Sequence, residues 1–312
     1  MINKSKFSII IPVFNSEKIV EQTVRETIIA LESYKLNFEI ILINDGSTDQ
    51  SWKVIKKLAN EFNNIKSINL LKNYGQHTAI FCGIQHTNGD YVITMDDDLQ
   101  NPPLEIIKLI EKIDEGYDLV FAKFLEKKHS LFRKFGSAVI KILNEKIFDK
   151  PKEITLTNFR IFTKSVAERV SNYKTFYPYI PGLLLLFSSS IGNVDTDHHY
   201  RKIGKSNYSL FKILKLVSRL LFNYSSYPLK LLTILGFSIS LVSFLLGLFY
   251  AIRGLLLDSS VPGWTTTVVL LSFFNGFLIL MIGILGEYIS RILNQLSVKQ
   301  AYQIKEIVFQ DV

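Results

Sequence analysis

Cysteine is almost absent: Cys82 stands alone in 312 residues, which rules out an internal disulfide and fits a reducing compartment. The spacing Gly-x-x-x-x-Gly-Lys-Ser/Thr does not occur, so the chain is not a P-loop nucleotidase. A secretion signal is also missing. Met1–Lys6 leads into an apolar run that stops at Pro12, too short for a signal core and without a small-residue cleavage site, so the N-terminus is expected to stay in the cytoplasm. No repeat or low-complexity stretch is present. Charge is scarce in one region only. None occurs from Leu231 to Ile252 or from Thr265 to Gly286, and each run has the roughly 20 residues that a hydrocarbon core about 30 Å thick requires.

What is present divides in two. The hydrophobic fraction, 48%, is high for a wholly soluble chain, and the excess lies in those two runs. They predict a transmembrane hairpin over 229–290, with helices near 231–252 and 265–286 and a short loop containing Pro262 and Gly263. Lys212, Lys215, Arg219 and Lys230 precede the first helix; Arg291, Lys299 and Lys305 follow the second, while the loop has Arg253 offset by Asp258. The positive-inside rule then puts both termini in the cytoplasm. Before the hairpin, Phe211, Leu214, Leu221 and Phe222 alternate with basic residues, the pattern of an amphipathic helix (211–228) lying on an anionic membrane surface. Residues 291–312 read as a cytoplasmic tail. The net charge of +8 points to an anionic partner.

Residues 1–210 read as an α/β domain. Apolar, β-branched runs at Phe7–Ile11, Phe38–Ile43, Ile65–Leu71, Tyr91–Met95 and Leu119–Phe124 alternate with helical patterns at Glu17–Ser33, Ser51–Asn60, Thr78–His86 and Leu104–Glu115. That alternation predicts a parallel sheet covered on both faces, with its ligand beyond the carboxyl ends of the strands. Polar segments fall at those ends: Pro12–Ser16, Asn44–Asp49, Lys72–His77 and Asp96–Pro103. In the last of these, Asp96-Asp97-Asp98-Leu99-Gln100 follows directly on a strand. Adjacent carboxylates repel, and carboxylates with an amide oxygen are hard ligands suited to Mg²⁺ or Mn²⁺.

Phe7-Ser-Ile-Ile-Ile-Pro-Val-Phe-Asn15, Asn44-Asp-Gly-Ser-Thr-Asp49, Asn73-Tyr-Gly-Gln-His-Thr-Ala79 and Asp96-Asp-Asp-Leu-Gln-Asn-Pro-Pro103 together resemble the family-2 GT-A glycosyltransferases. Arg201-Lys-Ile-Gly-Lys-Ser-Asn207 and the apolar hairpin narrow the resemblance to the polyprenyl-phosphate group, which includes dolichyl-phosphate mannose synthases and bacterial undecaprenyl-phosphate sugar transferases. The resemblance implies a GT-A, Rossmann-like fold and an inverting transfer from a nucleotide-diphospho-sugar to a polyprenyl phosphate at the bacterial inner membrane. It implies that Pro12, Asn15, Asp45, Gly75 and Asp96 line the nucleotide pocket. Asp96, Asp98 and Gln100 would hold the metal, and Arg133, Arg160, Arg201, Lys205 and Ser206 the phosphate of the acceptor. Asp96, Asp98 and Arg201 are the catalytic candidates. His77 stands in a motif loop, as sugar contact or as packing. Two positions depart from the family: Asp97 stands where many relatives have alanine, and Asn158 where several bacterial relatives have an aspartate proposed as base.

Rival readings remain open at this point. A processive polysaccharide synthase is disfavoured, since neither Trp52 nor Trp264 lies in a Gln-x-x-Arg-Trp segment. A transferase acting on diacylglycerol, or a silent lipid-phosphate-binding scaffold, stays as the alternative. Membrane lipids are the expected partners and nucleic acid is not; homo-oligomerisation is left open.

Overall fold

The computed structural model describes residues 5–124, 131–197, 210–256, 263–297 and 301–310. The chain forms two compact units: Met1–Leu214 together with Gln300–Val312, and Lys215–Lys299 between them.

Unit 1 is built on one eight-stranded sheet. Its strands are β1 (Lys6–Val13), β2 (Asn37–Asn44), β3 (Ile65–Leu70), β4 (Tyr91–Thr94), β5 (Leu119–Phe124), β6 (Arg160–Thr163), β7 (Ile191–Thr196) and β8 (Ile304–Val308), in the order β7-β5-β6-β4-β1-β2-β3-β8. The expected strands are β1 to β5. They carry the sheet's centre, where β1 pairs in parallel with both β2 and β4, and β2 with β3. Phe7, Ile9, Ile10 and Ile11 of β1 are all fully buried, as a central parallel strand covered on both faces requires. Alternation would have exposed every second residue. The sheet is mostly rather than wholly parallel: β6 runs antiparallel to β4 and β5, and β8 antiparallel to β3. The sequence reading did not include β6, β7 or β8. Two of them are short or mixed in polarity, and β8 lies in the segment read as a tail.

Helices α1 (Val20–Ser33), α2 (Ser51–Glu61), α3 (Gln76–Ile84) and α4 (Ile106–Asp114) lie where the periodicity placed them, α4 after a single 3-10 turn at Pro103–Glu105. Three more, α5 (Leu131–Ile147), α6 (Lys164–Ser171) and α7 (Ile180–Phe187), complete the domain before α8 (Leu210–Tyr224). Helix α3 sits close on the sheet because Gly83 has no side chain: a Cβ there would meet Ile10 Cγ2 at 2.5 Å and Ile43 Cδ1 at 3.0 Å.

Unit 2 contains two long helices, α9 (Tyr227–Leu256) and α10 (Trp264–Ser297). Among the described residues one segment, Phe273–Ser290, is long and apolar enough to cross a membrane, with mean hydropathy 1.6. None of that segment is buried within the protein; Phe273, Ile279 and Ile282 stand exposed. A shorter apolar stretch, Tyr227–Ile239, lies on α9.

Gly83→Val is expected to force Ile10 and Ile43 off their rotamers and to destabilise unit 1 by about 1–3 kcal/mol, read as a lowered thermal midpoint in detergent. An unchanged midpoint would show that α3 has room to lift.

Candidate active site

The carboxyl ends of β1, β2, β3 and β4 meet in one web of hydrogen bonds. After β1 the chain enters the left-handed region at Asn15 (φ 52°), a conformation that asparagine tolerates better than most residues. The Asn15 N–H donates to Ser47 Oγ (3.0 Å), and its side-chain oxygen accepts from the Thr48 N–H (2.9 Å). Asn15 thus ties the first loop to the second. Asp49 reinforces the same join, accepting from the Glu17 N–H (3.2 Å) and from the Ser51 N–H (2.9 Å). Pro12, one residue from the end of β1, is buried and paired with Ile43. Phe14 beside it is 46% exposed and leaves an aromatic face at the mouth of these loops.

Asp45, at the end of β2, is buried. Its two oxygens accept from the Tyr74 N–H (2.7 Å) and the Gly75 N–H (2.9 Å). The side chain expected to meet a nucleoside therefore first fastens the third loop, with one lone pair on each oxygen remaining. Burial drives its pKa up to about 6 against the pull of those two amides. Gly46 makes the approach possible, because at φ 64° a Cβ would lie 2.4 Å from Asn73 N. Gly75 (φ 96°) leads into α3, whose first residue, Gln76, donates from Nε2 to Asp96 Oδ1 at 2.6 Å.

The acidic motif follows β4. Asp96 and Asp97 are half-buried and Asp98 is buried. The turn is closed by Leu99 in the left-handed region (φ 57°) and by the Gln100 N–H donating to Asp98 Oδ1 (3.2 Å). Burial, and then the neighbouring Asp98, raise Asp96 to about 6; burial raises Asp97 to about 7. Asp97 Oδ2 is buried without a hydrogen-bond partner. Among the described residues no group of three His, Cys, Asp or Glu side chains forms a metal cage by itself. Two carboxylates and an amide oxygen still fit a hard divalent ion that keeps positions for water and phosphate oxygens. The carboxylate repulsion and the orphaned oxygen mark this turn as short of positive charge.

Beneath Asp96 lies Arg160, the first residue of β6. Expected as a contact to the acceptor phosphate, it is fully buried, with Nε donating to Thr94 Oγ1 (3.1 Å) and the guanidinium over the Phe121 ring (5.9 Å). Burial lowers its pKa to about 10, opposed by the charge of Asp96, and its two terminal nitrogens have no hydrogen-bond partner. Asn158 Nδ2 lies 3.4 Å from Asp96 Oδ1. His77 meets the edge of Tyr179 at 5.3 Å between ring centroids. Arg133 lies on α5, while Arg201, Lys205 and Ser206 fall outside the described residues. Gln76, Thr94 and Tyr179 were not singled out from the sequence. Gln76 stands inside a quoted motif, but the other two carried no signal.

A family model described as Glycosyl transferase family 2 matches residues 8–172. The chain belongs to that family. It is a glycosyltransferase, and its likeness to relatives is not confined to the catalytic unit. It is 34% identical over 310 residues to a protein named undecaprenyl-phosphate 4-deoxy-4-formamido-L-arabinose transferase from Salmonella choleraesuis (strain SC-B67), covering 97% of this chain and 94% of that one. A protein of the same name from Salmonella newport (strain SL254) matches to the same extent. The resemblance to polyprenyl-phosphate sugar transferases is thereby borne out. Among solved structures, glucosyl-3-phosphoglycerate synthase from Mycobacterium tuberculosis aligns with a TM-score of 0.53 at 18% identity, over 70% of this chain and 76% of that one, in a complex with Mn²⁺, uridine diphosphate and phosphoglyceric acid. The same enzyme with phosphoglyceric acid aligns at 0.54 and 16% identity, over 72% and 81% of the two chains. At these identities the likeness is one of fold, and the fold is GT-A.

The raised pKa of Asp45 sets a pH dependence. Between about pH 4 and 6 the folded chain holds a proton there that the unfolded chain releases. This residue's contribution to stability is therefore fullest in acid and is lost as the pH rises through about 6. Asp45→Asn should remove that component. Relative to the variant, the parent is expected to lose stability between pH 4.5 and pH 7 in parallel denaturant titrations; a pH-independent difference would contradict the assignment.

Proposed function

We propose that this enzyme transfers a sugar, with inversion, from a nucleotide-diphospho-sugar to a polyprenyl phosphate, undecaprenyl phosphate in particular, at the inner face of a bacterial cytoplasmic membrane. The observation that carries this reading is the end-to-end alignment with relatives named as undecaprenyl-phosphate sugar transferases, which takes in the apolar helices as well as the catalytic unit.

In this reading Pro12, Asn15, Asp45, Gly75 and Asp96 shape the nucleotide side of the site. Asp96, Asp98 and Gln100 hold Mg²⁺ or Mn²⁺, which when bound neutralises charge on the departing nucleoside diphosphate. An oxygen of the lipid phosphate attacks the anomeric carbon as the bond from that carbon to the diphosphate oxygen breaks. A phosphate monoester has a second pKa of about 6, so the nucleophile is already an anion near neutral pH. Asn158, which cannot take a proton there, therefore fits the site without a substitute base. The chain's work is to align the two substrates. Arg133, Arg201, Lys205 and Ser206 are proposed to receive the acceptor phosphate. Arg160, buried and electrostatically coupled to Asp96, would act on that phosphate as a source of positive potential.

The domain plan follows: a catalytic domain over 1–210, a juxtamembrane amphipathic helix over 211–228, and a hairpin over 229–290 with both termini cytoplasmic. The exposed apolar side chains of α10 support membrane burial over a soluble core role, since a core helix would have hidden them. Lys212, Lys215 and Arg219 would lie against anionic headgroups.

The test is incubation of detergent-purified enzyme with undecaprenyl phosphate, Mn²⁺ or Mg²⁺, and a panel of nucleotide sugars that includes a 4-formamido pentose. A metal-dependent lipid-linked monosaccharide is expected with at least one donor. Asp98→Ala should lower its rate by about 10²-fold or more. Turnover of diacylglycerol instead, or no product with any donor, would overturn the reading.

A further inference from the structure

The segment that follows α10 rejoins unit 1 and touches it at two places flanking a single loop. The first is Tyr302, which is buried and whose hydroxyl donates to Gln85 Oε1 just past the end of α3. The second is the Gln303 carbonyl, which accepts from the Leu71 N–H (2.9 Å) at the exit of β3. From there β8 pairs along β3 from Leu70↔Ile304 to Ser67↔Val308. Glu306 pairs with Lys56, and the Gln310 amide donates to the Asn60 carbonyl (2.6 Å).

Between those two contacts lie Lys72–Gly75 and α3. The Tyr74 and Gly75 amides hold Asp45, and Gln76 holds Asp96. The loop serving both acidic groups is thus fixed at its entry by Gln303 and, through α3, from behind by Tyr302. Helix α3 is short and largely buried, with Gly83 close on Ile10, so a displacement at Gln85 has little slack to dissipate in before it reaches Gln76. Covering the exposed edge of β3 would need β8 alone. Ala301 and Tyr302 precede β8, yet both are buried.

We propose that Ala301–Gln310 is a positioning element of the donor site, with Tyr302 the positioning residue that sets where the loop 72–76 presents itself to Asp45 and Asp96. This rests on the reading above, in which those loops bind the nucleotide sugar. Three residues separate the element from the end of α10.

The test is hydrogen exchange on the full chain in detergent, comparing the parent with Tyr302→Ala, Tyr302→Phe and Gln85→Ala, and with Lys56→Ala as a control that disturbs β8 but not Tyr302. In Tyr302→Ala the Tyr74 and Gly75 amides should exchange about tenfold faster while those of β1 and β2 keep their rates, as local rather than global opening demands. Tyr302→Phe and Gln85→Ala, which each remove the hydrogen bond but keep the buried ring, should raise the same two rates by a smaller factor, and Lys56→Ala should change neither amide. The nucleotide-sugar KM is expected to rise several-fold in Tyr302→Ala with kcat and the acceptor KM nearly unchanged. A uniform acceleration across unit 1, an unchanged rate at Tyr74 and Gly75, or altered exchange with an unaltered donor KM would each overturn the proposal. If Tyr302→Ala does not fold, exchange in Tyr302→Phe and Gln85→Ala decides. If no donor turns over in the parent, the proposed function falls, while the exchange rates still decide whether Tyr302 sets the loop.

Discussion

One buried carboxylate organises the catalytic unit. Asp45 follows a strand whose last five residues are all buried and accepts hydrogen bonds from two backbone amides of the next βα loop. Without it, those half-buried amides would lose their partners, at about 0.5–1.5 kcal/mol for each hydrogen bond, and the loop after β3 would lose its main tie to the loop after β2. Several features follow from this join. Gly46 must be a glycine because the loops approach to backbone contact. Gly75 must turn at positive φ to start α3 beside Asp45, and α3 then begins where Gln76 reaches Asp96. The loops after β1, β2 and β3 and the acidic turn are parts of one hydrogen-bonded assembly.

That assembly explains what the sequence reveals and what it hides. The central strands were legible because a parallel strand buried on both faces is a continuous apolar run, and Phe7–Ile11 and Phe38–Ile43 are such runs. The motif loops were legible because glycine, proline and clustered acids punctuate them. Strand β6 was not, since Arg160 opens it and a buried arginine reads as a surface charge. Strand β8 alternates exposed and half-buried residues near the end of the chain, and its partner β3 lies more than 230 positions earlier. No local pattern encodes a contact over that separation. At the site, the motifs single out Asp45 and Asn15, but that their hydrogen-bond partners are neighbouring loops shows only in three dimensions.

Electrostatics at the acidic turn run against the usual preference for separated charge. Three consecutive aspartates stand at one strand end, and burial with mutual repulsion pushes Asp96 and Asp97 upward. The turn is closed by a leucine in the left-handed region, a strained conformation that persists only where the surrounding structure holds it. Arg160 offsets part of it from below, but its guanidinium is itself desolvated and only partly hydrogen-bonded. The turn is therefore short of positive charge, and Arg160 makes up only part of the deficit.

The return of the chain to its own sheet also constrains the membrane arrangement. Strand β8 hydrogen-bonds to β3, so residues 304–308 lie on the same side of any bilayer as residues 65–70. The number of crossings between α8 and β8 must then be even. Segment Phe273–Ser290 has the length and apolarity to cross; if it does, another segment between α8 and β8 must cross in the opposite sense, and α9 is the long helix available. Strand pairing thus makes the crossing of α10 conditional on a second crossing, which neither helix taken alone would require.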